Sequence, residues 1–446
     1  MTATKTQPAR GMRDFLPDDV RRREYVIGVI ADVYRRYGFE PLETPAAENI
    51  ETLTGKYGEE GGRLIFRILK RGEEGKGGDA DLALRYDLTV PLARVVAEYR
   101  GRLPRFFKRY QIQPVWRADR PARGRLREFY QCDVDAIGSR SMMVETELCS
   151  AVADVLQRLG FRDFVIRINH RRLLAGLLDA AGVASDLHGQ ALVALDKMDK
   201  IGAGGVLREL QERGITADGQ RVLAAFAAGT TLQSMREFVG DRQEAQGAIA
   251  ELELIFDLAS ATSARTHLRF DVTLARGLSY YTGAIMEINV PDLAGSLGGG
   301  GRYDGLIGMF CGENIPACGF SLGLERILVV MGERGMFPAG VDAGGADVLV
   351  TQFEGEDPAE ALRLAGELRQ AGLRVEVYPE PDKLGKQFKY ASAAAIARVA
   401  VLGADERARG VVTIKDMRSG QQQPIPRAEL PALRQAVLRE ASEVEP

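Results

Sequence analysis

Apolar residues recur at helical spacing through DDVRRREYVIGVIADVYRRYGF, which predicts a long helix with Asp18 and Asp19 placed to cap its start. The two prolines of GFEPLETP end it. From about 82 to 138, short β-like runs such as RFFKRYQIQPVW and FYQCDVDAIG alternate with basic turns, the pattern of an antiparallel sheet. The stretch from roughly 172 to 262 is rich in Ala, Leu and Glu and reads as mostly helical. β-like signals return at LRFDVTLA and AIMEINV and lead into a helix after GFSLGLERI. A Gly-rich segment, FPAGVDAGGA, then reads as a hinge. Beyond it the character changes: ADVLVTQF is a buried-strand run, and EDPAEALRLAGELRQAG is a helix. Asp357 suits its N-cap, Pro358 its first turn, Glu360 a capping box and Gly372 its stop. LRVEVYP, an Ala-rich helix, VAVLG and VVTIKD continue a β-α-β alternation, as in a small three-layer α/β domain.

Length and composition narrow the class. A chain of 446 residues exceeds one ordinary core, so two or three domains are expected. With 45% hydrophobic and 27% charged residues it has the makeup of a water-soluble globular protein. The net charge of −3 means that any polyanion must be held by local patches. MTATKTQPAR lacks the apolar core of a signal peptide, and no uncharged apolar run of about 18 residues occurs, so no membrane partner is expected. Four cysteines without CxxC spacing and three scattered histidines argue against a disulfide framework or a zinc site, and fit a reducing cytoplasm.

The chemistry concentrates in a few segments. Gly101 to Arg127 holds nine basic residues against the single acid Asp119, together with Phe106, Phe107, Tyr110 and Trp116. It reads either as a solvated basic surface over core aromatics or as a polyanion site, where guanidiniums fork onto phosphates and a ring stacks a base. In EFYQCDVDAIG, strand alternation puts Gln131, Asp133 and Asp135 on one face. Two carboxylates and an amide cannot form an apolar core face, so that face looks into solvent or into a polar cavity. LRYDLTVPLAR places Asp87 and Thr89 two apart, again on one strand face, as a receptor for an ammonium group. The four glycines before Arg302 match neither GxGxxG nor GxxxxGK[ST], which removes dinucleotide and P-loop readings. Glycine inside β-like sequence marks close approach by a ligand or another backbone, unless the run is simply a turn. Arg326 follows on a helix, where a lone arginine can equally be a surface cation.

Taken in order, GMRDFLP, VWRADRPARGRLREFYQCDVD, LARGLSYYTG, LGGGGRYDGL, GFSLGLERI and LGKQFKYA resemble the histidyl-tRNA synthetase family over nearly the whole chain. The Arg-rich and Gly-Arg segments are common to class II synthetases, whereas RGLxYYTG and GGGRYDGL are specific to the histidine enzymes and their relatives. The resemblance implies an α+β catalytic domain over 1–335, an antiparallel sheet flanked by helices. A helical insertion at 172–262 interrupts it, and an anticodon-binding α/β domain follows over 345–446. It also implies a homodimer joined through the first helix, with Pro45 the motif proline. The substrates would be L-histidine, ATP with Mg²⁺, and tRNA(His), with no tightly bound cofactor.

Carried over by motif, Arg117 holds the histidine carboxylate and the α-phosphate, Arg276 supplies a second cation there, and Arg326 lies on the γ-phosphate side. Phe129 stacks on adenine. Asp87, Thr89 and Gln131 receive the α-ammonium, and Asp135, Tyr281 and Tyr303 surround the imidazole with Tyr280 nearby. Arg125 of the motif loop is counted with the ATP ligands, although it and Arg123 suit contacts with the tRNA acceptor end better than chemistry. This chain departs from the commonest pattern at Asp135, where many relatives have glutamate, and at Ser279, where many have aspartate. Two rival readings are a synthetase-like regulatory subunit of ATP phosphoribosyltransferase and an RNA-binding module without activity. The first typically lacks the C-terminal domain and often the catalytic arginine, both present here. The second does not require an acidic pocket strand.

Overall fold

The computed structural model of the chain describes residues 6–72, 77–215, 218–228, 231–275, 280–338, 340–341 and 345–430. They form two compact units, Met1–Met336 and Phe337–Pro446.

The first unit is built on an eight-stranded sheet. Its strands are β1 (Glu40–Pro41), β5 (Phe107–Trp116), β6 (Glu128–Ile137), β7 (Val165–His170), β8 (Leu268–Phe270), β9 (Ala284–Asn289), β10 (Gly298–Arg302) and β11 (Ala317–Gly323). They lie in the order β1-β5-β6-β11-β10-β9-β7-β8. Only the two outermost pairs, β1 with β5 and β7 with β8, run parallel. A small sheet of β2 (Ala47–Asn49), β3 (Arg67–Leu69) and β4 (Ala80–Leu84) accompanies it. Helices Pro17–Arg36, Met143–Arg158 and Leu324–Glu333 flank the large sheet. From Arg171 to Ala259 the described elements are all helical, the longest being Gln243–Ala259.

Three local expectations change. Asp18 and Asp19 do not cap the first helix: Leu16 is its N-cap, Pro17 opens it, and both aspartates lie in the first turn. There they favour the positive end of the helix dipole instead. The run of strands from 82 to 138 is broken by the helix Thr89–Tyr99, so Asp87 and Thr89 share no strand face. Asp87 sits in the turn that opens this helix, and its Oδ1 accepts from Val90 N at 3.0 Å. In the second unit, Asp357 does cap Pro358–Gln370 by accepting from Ala359 N. The Glu360 carboxylate, however, is taken by Arg363 and Arg427.

The glycine run forms β10, hydrogen-bonded on both sides to β9 and β11. The approach it permits is by backbone. A Cβ on Gly300 would stand 2.2 Å from the carbonyl oxygen of Gly319 on the neighbouring strand. Side chains there would force the strands apart.

The second unit carries its own five-stranded sheet: β12 (Val348–Val350), β13 (Val375–Val377), β14 (Arg398–Val401), β15 (Val411–Asp416) and β16 (Gln422–Pro426). The order is β13-β12-β14-β15-β16, parallel at the first three strands and antiparallel after them. Alternate residues feed two cores. Val348, Val350, Ala400 and Val412 pack on Leu364 and Leu368. Leu349, Val399 and Val401 pack on the side of Ala391 and Ile396. That division is the three-layer arrangement. Among the described residues, no helix is long and apolar enough to cross a membrane.

Candidate active site

The centre of the large sheet is polar where a core would be apolar. Register explains it: Arg109, Gln111 and Gln113 on β5 stand opposite Asp135, Asp133 and Gln131 on β6. Two alternating polar strands thus meet on one face. Arg109 is fully buried and Asp133 and Asp135 are each 2% exposed. Arg109 Nη2 lies 2.9 Å from Asp135 Oδ2 and 3.9 Å from Asp133 Oδ2. On the other side of β6, Gln131 Nε2 donates to Ser321 Oγ of β11 at 2.8 Å.

Aromatic hydroxyls close the pocket. Tyr303 donates to Asp135 Oδ1 at 2.5 Å. Tyr57 and Tyr280 donate to the two oxygens of Asp87 at 3.0 and 3.2 Å. Tyr280 is edge-on to both Tyr281 and Tyr303, with ring centroids 5.1 and 6.0 Å away. The Thr89 hydroxyl also bonds the Tyr280 phenol. Burial pushes all four of these phenols upward, so each is a neutral hydroxyl. Burial also raises Asp87, Asp133 and Asp135 above the usual carboxylate range. For Asp133 the rise is to about 7, with Arg109 opposing it and Asp135 adding to it.

Arg117 follows β5 and borders this pocket. Its Nε donates to the Tyr86 carbonyl at 2.9 Å, and its Nη2 lies 3.5 Å from Gln131 Oε1. The guanidinium lies over the Tyr86 and Phe129 rings at 4.3 and 5.2 Å. It is held flat, with part of its donor edge left for a ligand. Thus Asp87, Thr89, Arg117, Phe129, Gln131, Asp135, Tyr280, Tyr281 and Tyr303 are linked through one chain of contacts. Arg326 belongs to another group: it donates to the Ser296 carbonyl, and its side chain packs against Gly124 of the basic loop. The same loop is tied to the end of that helix by Arg123, paired with Glu333. Arg125 joins neither group; it is exposed and paired in bidentate fashion with Asp119 at 2.9 and 3.2 Å. Arg276 and Ser279 lie outside the described residues.

Sequence reasoning did not single out Arg109, Tyr57 or Ser321. The signal for Arg109 was present, since RYQIQ alternates as QCDVD does. Nothing local marks Tyr57, which stands at the N-cap of the separate short helix Gly58–Arg63.

The histidyl-tRNA synthetase family model matches residues 11–327, and an anticodon binding domain model matches 347–436. A histidine–tRNA ligase of Gloeobacter violaceus is 44% identical, over 94% of this chain and 96% of that protein. The chain belongs to the histidyl-tRNA synthetase family. A histidine–tRNA ligase of Porphyromonas gingivalis, 42% identical, covers the same shares. Among solved structures, the histidyl-tRNA synthetase of Nostoc sp. PCC 7120 superposes with a TM-score of 0.82 at 29% identity, over 98% of this chain and all of that one. A Bacillus halodurans protein described as an ATP phosphoribosyltransferase regulatory subunit/histidyl-tRNA synthetase shares the fold, with a TM-score of 0.72 at 21% identity over 90% of this chain and all of that one. Membership in the synthetase family makes the chain an aminoacyl-tRNA ligase, and the regulatory-subunit reading is not the better supported one.

Proposed function

We propose that the chain activates L-histidine with ATP to histidyl-adenylate and pyrophosphate, then passes the histidyl group to the 3′ end of tRNA(His). The observation that carries this reading is the composition of the buried pocket. Asp87, Asp133 and Asp135 are each 2% exposed or less, with Arg109 beside the last two and Arg117 near the first, and Asp133 Oδ1 accepts no hydrogen bond. Buried carboxylates without donors are costly, and a ligand rich in N–H groups relieves that cost. Histidine brings an ammonium and an imidazole, and a pocket built to hydrogen-bond both rejects residues that lack them.

The first step needs no general base, because the attacking carboxylate is ionised near neutral pH. Positioning and charge neutralisation then carry the rate. In this reading Arg117 and Arg276 meet the histidine carboxylate and the α-phosphate, and Arg326 meets the γ-phosphate. Phe129 stacks on adenine, and Mg²⁺ arrives with ATP as part of the substrate. Asp87, Thr89 and Gln131 take the ammonium, while Asp135, Tyr280, Tyr281 and Tyr303 enclose the ring. Arg125, engaged with Asp119, serves the nucleotide or the tRNA acceptor end only after that pair opens. Residues 1–335 form the catalytic domain with its insertion at 172–262, and 345–446 read the anticodon. The working form is a cytoplasmic homodimer joined through the helix Pro17–Arg36. ATP–pyrophosphate exchange across all twenty amino acids tests the core claim. Exchange dependent on histidine alone is expected; no exchange with any amino acid would return the chain to a regulatory or RNA-binding role.

A further inference from the structure

The two ends of the pocket come from different parts of the chain. Asp87 and Thr89 lie in the turn that opens the helix Thr89–Tyr99, whereas Asp135 lies on β6. One buried side chain reaches both. Arg109 of β5, fully buried, is paired through Nη2 with Asp135 Oδ2 at 2.9 Å. The same nitrogen donates at 3.3 Å to the carbonyl of Leu88, the residue between Asp87 and Thr89. Arg109 Nη1 donates to Gln111 Oε1 at 3.2 Å, and Gln111 Nε2 donates to Thr44 Oγ1 and Gln113 Oε1 at 2.9 and 2.6 Å. The guanidinium is therefore braced from behind by an amide ladder, and both its terminal nitrogens are engaged within the protein. A guanidinium fixes its N–H directions in one plane, whereas an ammonium on a flexible stem fixes none. Tyr280 is a second link between the two ends, but it meets Tyr303 by ring edge at 6.0 Å and not by a hydrogen bond.

We propose that Arg109 is a positioning residue for histidine: it holds the Asp135 carboxylate and the turn of Asp87 and Thr89 at one separation, so that the ring and the α-ammonium of a single histidine meet both at once. This rests on the histidine reading above and adds to it the residue that joins the two halves of the site. The argument is one of linkage. A small ligand that touches one end follows that end when it shifts. A ligand that spans both must match their separation, and a mismatch on the order of 1 Å costs it one contact or strains the other. Arg109 spends its terminal nitrogens on protein groups, so it acts on binding more than on the chemical step. The ATP side keeps its own supports, with Arg117 on the Tyr86 carbonyl and Arg326 on the Ser296 carbonyl.

ATP–pyrophosphate exchange by full-length Arg109→Lys tests this, because lysine keeps a cation beside Asp133 and Asp135 while giving up the fixed N–H directions. The histidine KM should rise by about tenfold or more, with the ATP KM within about twofold and kcat within about threefold. As competitive inhibitors, L-histidinol, which offers ring and ammonium, should weaken by a similar factor, and 4-methylimidazole, which offers the ring alone, by about threefold or less. A folded Arg109→Lys with an unchanged histidine KM, a parallel rise in both KM values, or equal losses for the two inhibitors overturns the proposal while leaving histidine activation standing. If Arg109→Lys does not fold, Arg109→Met combined with Asp135→Asn, which removes the carboxylate that methionine would strand, is compared with Asp135→Asn alone. Loss of the Leu88 bond should then raise the histidine KM by about a further threefold or more, and equal KM values overturn the proposal. No histidine-dependent exchange by the wild-type chain sinks this proposal and the histidine reading together.

Discussion

Arg23 and Glu325 form a buried ion pair between the first helix and the helix that carries Arg326: Arg23 Nη1 lies 2.9 Å from Glu325 Oε1, with both side chains under a tenth exposed. The second Glu325 oxygen accepts from Tyr130 N at 3.0 Å, and the guanidinium lies over the Phe15 and Tyr130 rings at 4.0 and 4.8 Å. One carboxylate therefore joins the first helix, the start of β6 beside Phe129, and the residue preceding Arg326. Removing one partner of such a pair strands a charge in the interior, whereas replacing both with apolar groups is far cheaper.

Arg23→Met should accordingly cost about 3–5 kcal/mol of stability, and Arg23→Met with Glu325→Leu should recover most of it. Urea unfolding measures both. Because Glu325 anchors the turn that bears Arg326, the single variant should also raise the KM for ATP more than the KM for histidine. Equal stability of single and double variants would show that the pair is not energetically coupled.

Arg117→Ala and Arg276→Ala should each slow adenylation by about two to three decades, the usual cost of losing one oxyanion-type contact. Histidine affinity should change much less. Arg117→Lys should recover only a small part of the loss in rate, because a lysine keeps the charge but cannot hold the Tyr86 carbonyl while lying flat over both rings. Single-turnover exchange rates in folded variants decide; an unchanged rate removes that arginine from the mechanism.

Much of this pocket could be read from the chain, and the exceptions have physical causes. The polar face of Gln131, Asp133 and Asp135 followed from alternation alone. Its partner face on β5 follows the same rule, but Arg109 was submerged in a segment with nine basic residues, where charge density drew attention outward. The spacing of two between Asp87 and Thr89 predicts a shared strand face; the helix wins there because Asp87 satisfies Val90 N and the following apolar residues bury. The glycines were legible as a close approach, but sequence does not say whether a ligand or a backbone approaches, and here it is a backbone. Arg125 lies beside Asp119 only because the loop folds back on itself, with Ala122 and Arg125 bridged to each other.

Asp133 should give the unliganded protein a distinctive pH profile. Its folded pKa, about 7, lies above its unfolded value of 3.8. The sign follows: its contribution is fully present below about pH 4 and is lost as pH rises through 7. Asp133→Asn removes that term, so the variant should gain on the order of 2 kcal/mol relative to wild type between pH 5 and pH 8. Denaturant midpoints taken across this range test it. Parallel profiles for the two proteins would mean that Asp133 is not what titrates.

Truncation after about residue 336, where the first compact unit ends, should leave histidine-dependent exchange measurable and lower tRNA charging severely. Leu384 to Gly420 in the second unit holds seven basic and three acidic residues, a local excess suited to a polyanion. The charging defect should shrink the contrast between cognate tRNA and tRNA altered in its anticodon. Equal charging by truncated and full-length chains would remove the anticodon role from this unit.

Gly319 tests the pocket itself. It stands opposite Asp135 in the β6–β11 register, and a Cβ there would lie 1.9 Å from Asp135 Oδ1 and 2.6 Å from its carboxyl carbon. Its backbone does not require glycine by conformation; the missing side chain makes room for a carboxylate. Gly319→Ala must therefore push Asp135 off both the Tyr303 hydroxyl and Arg109, at about 1–3 kcal/mol of overpacking strain. The histidine KM should rise by about tenfold or more, a shift of roughly 1.4 kcal/mol, while the ATP KM stays within about twofold. Gly300→Ala supplies the contrast, because its Cβ would meet the Gly319 carbonyl oxygen rather than a pocket side chain. That variant should lose stability and both substrates together. A Gly319→Ala enzyme with an unchanged histidine KM would place Asp135 outside the ring pocket.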